Sequence, residues 1–148
     1  MGQSKEPKRC AYESHPGKPL EEHLRQVAEG ARVRLDHPAL CHRELLREAA
    51  YLIGLSHDLG KYTAYFQEYL KTRKRFEGGL ERHAFLGAVC AAWLLLERLS
   101  ELPKGSGREF LPLLGYLTVH RHHGHLAAPE SILPPLGEPH RATGELRR

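Results

Sequence analysis

Gly54-Leu55-Ser56-His57-Asp58-Leu59-Gly60-Lys61 sets two metal-binding side chains back to back at the end of an apolar run, with a glycine and a lysine close behind. The pair alone is a weak signal. Adjacent side chains on a helix diverge by about 100°, so His57 and Asp58 hold one ion only if other parts of the chain converge on them. Further ligand types are present at His23, at His83 and at the pair His122-His123, each where an apolar helix face would carry it inward. A buried imidazole needs hydrogen-bond partners, and a buried Asp58 needs a cation or strong donors, because an unpaired buried charge is costly. A metal ion meets both demands. The simpler readings are that Asp58 caps the element that follows, with Gly60 suited to such a corner, and that His23 is a boundary histidine half in water.

The elements that must position these residues are helical. Leu20, Leu24, Val27, Ala28, Ala31 and Leu35 recur at helical spacing, with Pro19, Glu21 and Glu22 at the start, where the helix dipole favours acids. A second helix is expected from Pro38 or Leu40 to His57, with Leu46, Ala49, Ala50, Ile53 and His57 on its buried face. A third, from Thr63 to Arg75, ends in Lys71-Thr72-Arg73-Lys74-Arg75. These cations could lie along a phosphate backbone, with Tyr62, Tyr65 and Tyr69 near enough to stack on bases, or simply form a solvated helix end that suits the dipole. Gly78-Gly79 breaks the chain. The fourth helix, Leu80 to Leu99, is the most apolar, and Leu86, Val89, Cys90, Trp93, Leu94 and Leu96 predict a wide buried surface, with His83 at its start. A fifth, Glu109 to His122, runs into His120-Arg121-His122-His123-Gly124-His125. Residues 1–19 read as a loose arm and residues 127–148, rich in proline and glycine, as an irregular tail. The fold class expected is all-α, with no strand.

Composition narrows the field. The 148 residues suit one domain with a real core. Cys10, Cys41 and Cys90 are odd in number and far apart, which argues against a disulfide framework or a zinc knuckle. The longest apolar run, residues 84–96, is shorter than a bilayer core of roughly 30 Å requires, and the N-terminus has no secretory signal, so a cytosolic protein is expected. Lysine and arginine number 22 against 18 acids, a mild lean toward a polyanionic partner. Of eleven histidines, His15, His37, His42 and His140 read as solvated or structurally satisfied.

The order of motifs resembles the HD phosphohydrolase superfamily, in particular the HD nuclease domain of the type I CRISPR-associated helicase-nuclease. The strings that carry the likeness are Glu22-His23-Leu24, His57-Asp58-Leu59-Gly60-Lys61-Tyr62 followed by Phe66-Gln67, Arg82-His83-Ala84, and His122-His123-Gly124-His125-Leu126, spanning residues 20–126. The resemblance implies a helical bundle around one or two divalent transition-metal ions and hydrolysis of single-stranded DNA in antiviral defence. It implies His23, His57 and Asp58 as ligands of one ion, and Asp58, His83, His122 and His123 as ligands of the other, Asp58 bridging. Lys61 would sit beside the phosphate, and Asp58 and Lys61 would be the catalytic residues. Imidazole-rich shells favour Mn, Fe, Co, Ni or Zn over Mg. The implied partners are a CRISPR helicase domain or subunit and the crRNA-guided surveillance complex, with Lys71, Arg73, Lys74 and Arg75 on the DNA.

One departure stands out. The family ordinarily supplies a further aspartate well after the His-His pair, yet Asp36 and Asp58 are the only aspartates here. Truncation before that residue is the favoured explanation. Substitution by Glu130 or Glu138, or a weak first site, are the others. Two competing functions remain at this level: an HD phosphohydrolase acting on nucleotides or another small phosphate ester, and a non-catalytic interaction module stabilised by metal.

Overall fold

A computed structural model describes residues 12–100 and 108–124. Among the described residues the architecture is mostly helical, with five α-helices and one small hairpin. Strands β1 (Glu13–His15) and β2 (Lys18–Pro19) pair antiparallel, then α1 (Leu20–Arg34), α2 (Arg43–Ser56), α3 (Ala64–Thr72), α4 (Ala84–Ser100) and α5 (Leu111–His120) follow. Residues 12–19 are therefore ordered, in contrast to the loose arm expected. The turn is made by Pro16-Gly17, and Gly17 has a φ of +78°, the combination that a tight turn with proline before a left-handed glycine requires. The tail at 127–148, with Glu130, Glu138 and His140, and also His125, lies outside the described residues.

Helix ends follow local chemistry. Glu21 and Glu22 sit in the first turn of α1 and Arg32 and Arg34 in its last, each complementing the dipole. Thr63 caps α3, its Oγ1 accepting from the Phe66 backbone N–H at 3.3 Å. Helix α4 begins at Ala84 and not at Leu80, because Gly78 and Gly79 both take positive φ and the chain needs four more residues to re-enter helix.

Helix α1 packs on α2, α2 on α4 and α5, and α4 most extensively on α5. One core cluster joins Ala49, Leu95, Leu99 and Leu111, and the other joins Ala88, Ala91 and Val119, with Ile53 touching both. This overturns the expected face of α4. Leu86, Val89, Trp93 and Leu96 are exposed, as is Phe85, while the small Ala88 and Ala91 point inward with Leu95 and Leu99. A helix apolar all round carries no period that selects a face, and close packing against two neighbours selects the small residues. Exposed Leu113 and Leu114, with Phe110 just before the helix, give α5 an apolar stripe as well.

By length and composition alone, Glu77–Leu99 would suffice to cross a membrane. Its first third is a 3-10 turn and an irregular corner, and the α-helix proper has 17 residues, about 25 Å, one face of which is packed on α2 and α5. Among the described cysteines, Cys41 and Cys90 are free thiols.

Candidate metal centre

Four helix ends meet at one end of the bundle. His23 lies in the first turn of α1, His57 directly follows α2, His83 directly precedes α4, and His122 and His123 follow α5. The alternating direction of packed helices is what brings residues so remote in sequence together. Two glycines permit the approach: a Cβ on Gly54 of α2 would stand 2.6 Å from the Cα of Ala28 on α1, and one on Gly60 would stand 2.3 Å from the His83 carbonyl oxygen. Any larger residue would push α1 or His83 away from the centre.

Asp58 is the hub, 2 % exposed. Its side chain makes no capping hydrogen bond to the 3-10 turn Leu59–Tyr62 that follows, so the capping reading fails. The carboxylate faces the histidines instead. Its Oδ2 lies 3.0 Å from His23 Nε2 and 3.2 Å from His57 Nε2; its Oδ1 lies 3.1 Å from His83 Nε2, 3.3 Å from His122 Nε2 and 3.9 Å from His123 Nε2. His57 Nε2 also approaches His23 Nε2 at 3.2 Å, and His83 Nε2 approaches His123 Nε2 at 2.8 Å. Two ligand groups share the one carboxylate: His23, His57 and Asp58, and Asp58, His83, His122 and His123, the donor atoms of each within 4.8 Å of one another. All six residues singled out as ligands from the sequence are thus brought together.

The proton inventory is compatible with a cation among these donors. His57 Nδ1 stands 2.7 Å from the Gly54 carbonyl oxygen and His122 Nδ1 stands 2.5 Å from that of Val119. A carbonyl only accepts, so in both rings Nδ1 carries a hydrogen, and Nε2 can either donate a second hydrogen to Asp58 or, in the neutral tautomer, offer a lone pair to a metal ion. Each Nε2 faces an Asp58 oxygen, so a proton or a metal ion must lie between them. Protons cannot serve at every ring, because neighbouring imidazolium charges oppose one another. Two donors bound at about 2.1 Å to one ion stand ~3–4 Å apart, which is the spacing observed. The Asp/His group can therefore hold a metal ion.

Electrostatics agree. Burial pushes the Asp58 carboxyl up, but hydrogen bonds from His122, His57, His83 and Lys61 outweigh it and hold the group far below the ordinary carboxylate range, so it stays ionised. Burial lowers His23, with bonding to Asp58 opposing. His123 is lowered to about 4, by burial and then by the charges of His122 and His83. For His122 burial again acts downward, but the bonds to Asp58 and Val119 prevail and the ring is raised. His23, His57, His83 and His122 show 14–17 % of their side chains to solvent whereas His123 shows 58 %, so the cluster opens on the His123 side.

Lys61 is placed differently from the phosphate-facing residue implied by the resemblance. It is 3 % exposed, its Nζ lying 2.8 Å from Asp58 Oδ2, 3.2 Å from the Ser14 carbonyl oxygen it donates to, and 5.3 Å from the Phe66 ring centroid. It acts on Asp58 from the protein interior. Lys71, Arg73, Lys74 and Arg75 are all exposed, Arg73 lying over Tyr69 and Lys74 over Phe76. Of the three tyrosines, Tyr65 is exposed, whereas Tyr62 and Tyr69 are half-buried and Tyr62 packs edge-on against Tyr12. Helix α3 joins these features to the centre, since Phe66 near its start contacts the His83 ring at 4.9 Å between centroids. Two buried polar residues of the centre's surroundings had no role assigned from the sequence: Ser14, and Gln67, which had served only as part of a motif. Gln67 donates to Glu13 O and Lys61 O, a role that no spacing rule announces. No family model, no curated protein and no solved structure matches the chain.

Proposed function

We propose that the chain is a metal-dependent phosphodiesterase that cuts single-stranded DNA, working as the nuclease module beside a CRISPR helicase and its crRNA-guided surveillance complex in the cytosol. The observation that supports it most is the convergence of five imidazole Nε2 atoms on the two oxygens of one buried carboxylate. His23, His57 and Asp58 would hold one ion and Asp58, His83, His122 and His123 a second, with Mn, Fe, Co, Ni or Zn favoured by the imidazole-rich set. Bound divalent ions supply a water of lowered pKa, ~7, and neutralise charge that builds on a phosphoryl group.

The chain's own residues do the rest. Asp58 stays ionised and presents one oxygen to each ligand group. The Gly54 and Val119 carbonyls fix the tautomers of His57 and His122 so that Nε2 faces the centre. Lys61 holds Asp58 in orientation from below. The open side at His123 admits the substrate, and the exposed cations from Lys71 to Arg75 at the far end of α3 attract a polyanionic strand, a preference that favours a polymer over a small phosphate ester. Tyr65 offers a face for base stacking.

The test is digestion of a labelled single-stranded oligonucleotide by purified protein with added Mn, Co or Ni. Cleavage is expected, with none in EDTA and none by Asp58→Ala. Equal cleavage by Asp58→Ala refutes the reading, and stoichiometric metal without hydrolysis of oligonucleotides or nucleotides turns it into a metal-stabilised interaction module.

A further inference from the structure

The ammonium that pairs with Asp58 on its inner side has three partners for its three hydrogens. Lys61 Nζ lies 2.8 Å from Asp58 Oδ2, donates to the Ser14 carbonyl oxygen at 3.2 Å and faces the Phe66 ring. Asp58 and Phe66 are near Lys61 in the chain, but Ser14 lies 47 residues away in β1, so the lysine keeps this set of partners only while β1 is held in place. One side chain fastens the strand to this corner. Gln67, 8 % exposed, accepts from the Glu13 backbone N–H at 3.1 Å through Oε1 and donates from Nε2 to the Glu13 carbonyl oxygen at 2.9 Å. The amide thus exchanges bonds with both backbone groups of Glu13, as a residue of a neighbouring strand would. The same Nε2 donates to the Lys61 carbonyl oxygen at 2.8 Å, which uses its second hydrogen. Gln67 therefore ties the backbone of Lys61 to the strand whose next residue, Ser14, receives the Lys61 ammonium.

The fastening reaches the metal centre by a second route. Strand β2 runs directly into α1, and Leu20 N donates to the Tyr12 carbonyl oxygen at 2.9 Å, so the hairpin fixes the first turn of α1, which carries His23. Both routes end on the same half of the cluster. Lys61, His23 and His57 all meet Asp58 Oδ2, whereas His83 and His122 meet Oδ1.

We propose that Gln67 is a positioning residue of the metal centre, setting through the hairpin the geometry of the ligand group His23, His57 and Asp58. The inference rests on the metal-centre reading and is independent of the substrate. The position calls for an amide: glutamate has the same length but lacks both donors, and leucine loses all three bonds.

The experiment titrates Mn by calorimetry into the full chain, Gln67→Glu and Gln67→Leu, at a temperature where circular dichroism shows each folded. His23→Ala and His83→Ala mark which binding step belongs to which ligand group. The expected result is an affinity about tenfold lower, or about 1.4 kcal/mol, for the ion that His23→Ala weakens, with less than about a twofold change for the ion that His83→Ala weakens. Should Gln67→Leu fail to fold, Gln67→Glu, which keeps an acceptor for Glu13 N, decides alone. Unchanged or tighter binding at the His23 group overturns the proposal while leaving the metal centre intact. Equal losses at both groups also overturn it, because that is what a general loosening of the fold produces. A single ion weakened alike by His23→Ala and His83→Ala overturns it too, since no separate Oδ2 group then exists to be positioned. If the parent chain takes up no Mn, the metal-centre reading falls and the proposal with it.

Discussion

Lys61 Nζ lies 2.8 Å from Asp58 Oδ2, and both side chains are almost wholly enclosed. The carboxylate that gathers five histidines is therefore already paired on its inner side, which fixes its plane and leaves its remaining lone pairs for the imidazole side. Breaking one half of a buried ion pair strands the other charge and costs ~3–5 kcal/mol. Lys61→Met should lower the melting temperature of the metal-free protein by on the order of 10 °C. Differential scanning calorimetry checks this, and an unchanged melting temperature would show that the lysine is a bystander.

Proton balance gives a second prediction. His123 is held near a pKa of about 4, below its ordinary value of 6.5, so the unfolded chain binds a proton there more readily than the native one. A depressed pKa contributes stability that is present above the unfolded value and is lost as pH falls through the folded one. The metal-free protein should lose stability from pH 6.5 downward toward 4, while Asp58, also depressed, remains ionised across that window. Urea unfolding at stepped pH measures the trend, and stability that is flat or rising on acidification would contradict it.

Metal uptake should release protons. His122 is raised above its ordinary value and binds an ion only as the neutral ring, so uptake should displace more proton from it than from an unperturbed imidazole at the same pH. Isothermal titration with Mn in buffers of different ionisation enthalpy should give apparent enthalpies that differ from buffer to buffer. Identical enthalpies would mean that no group of the centre titrates on binding.

Ligand variants should separate the two halves of the cluster. His23→Ala removes a donor only from the group that shares Asp58 Oδ2, and His83→Ala only from the group on Oδ1. Each substitution is expected to weaken one ion by more than about tenfold and the other much less, read as distinct steps in a metal titration. Simultaneous loss of both ions from either variant would mean a single, indivisible site.

The exposed cations of α3 make a salt-dependent prediction. Replacing Lys71, Arg73, Lys74 and Arg75 together by glutamine should reduce the slope of log affinity against log salt for single-stranded DNA by roughly 2 to 3, at ~0.7 per phosphate contact. An unaltered slope, measured by fluorescence anisotropy, would assign the run to helix-end solvation alone.

The residues that converge on Asp58 were legible in the sequence because each histidine sits in step with an apolar stripe or at its end: His57 after Ile53, His83 before Gly87, and His122 after Val119. Such steps survive errors of a few residues at the helix ends, which is why α2 and α5 starting later than expected did no harm to the site. Lys61 was legible as a neighbour of Asp58 but not in its direction, since a long flexible side chain can turn in or out and only the buried Ser14 carbonyl and Phe66 ring decide it. The hairpin escaped because strands of three and two residues are too short to show a period, although Pro16-Gly17 marked the turn. The face of α4 escaped for the opposite reason, an excess of apolar residues on every side.

The central claim is that Asp58 gathers these imidazoles around a divalent cation, and metal analysis tests it most directly. Protein stripped with chelator, reloaded with Mn, Co, Ni or Zn and freed of excess by gel filtration should retain one to two equivalents per chain, and Asp58→Asn should retain less than about a tenth of that. A parent protein that stays empty, or an Asp58→Asn protein that retains as much, would contradict the account.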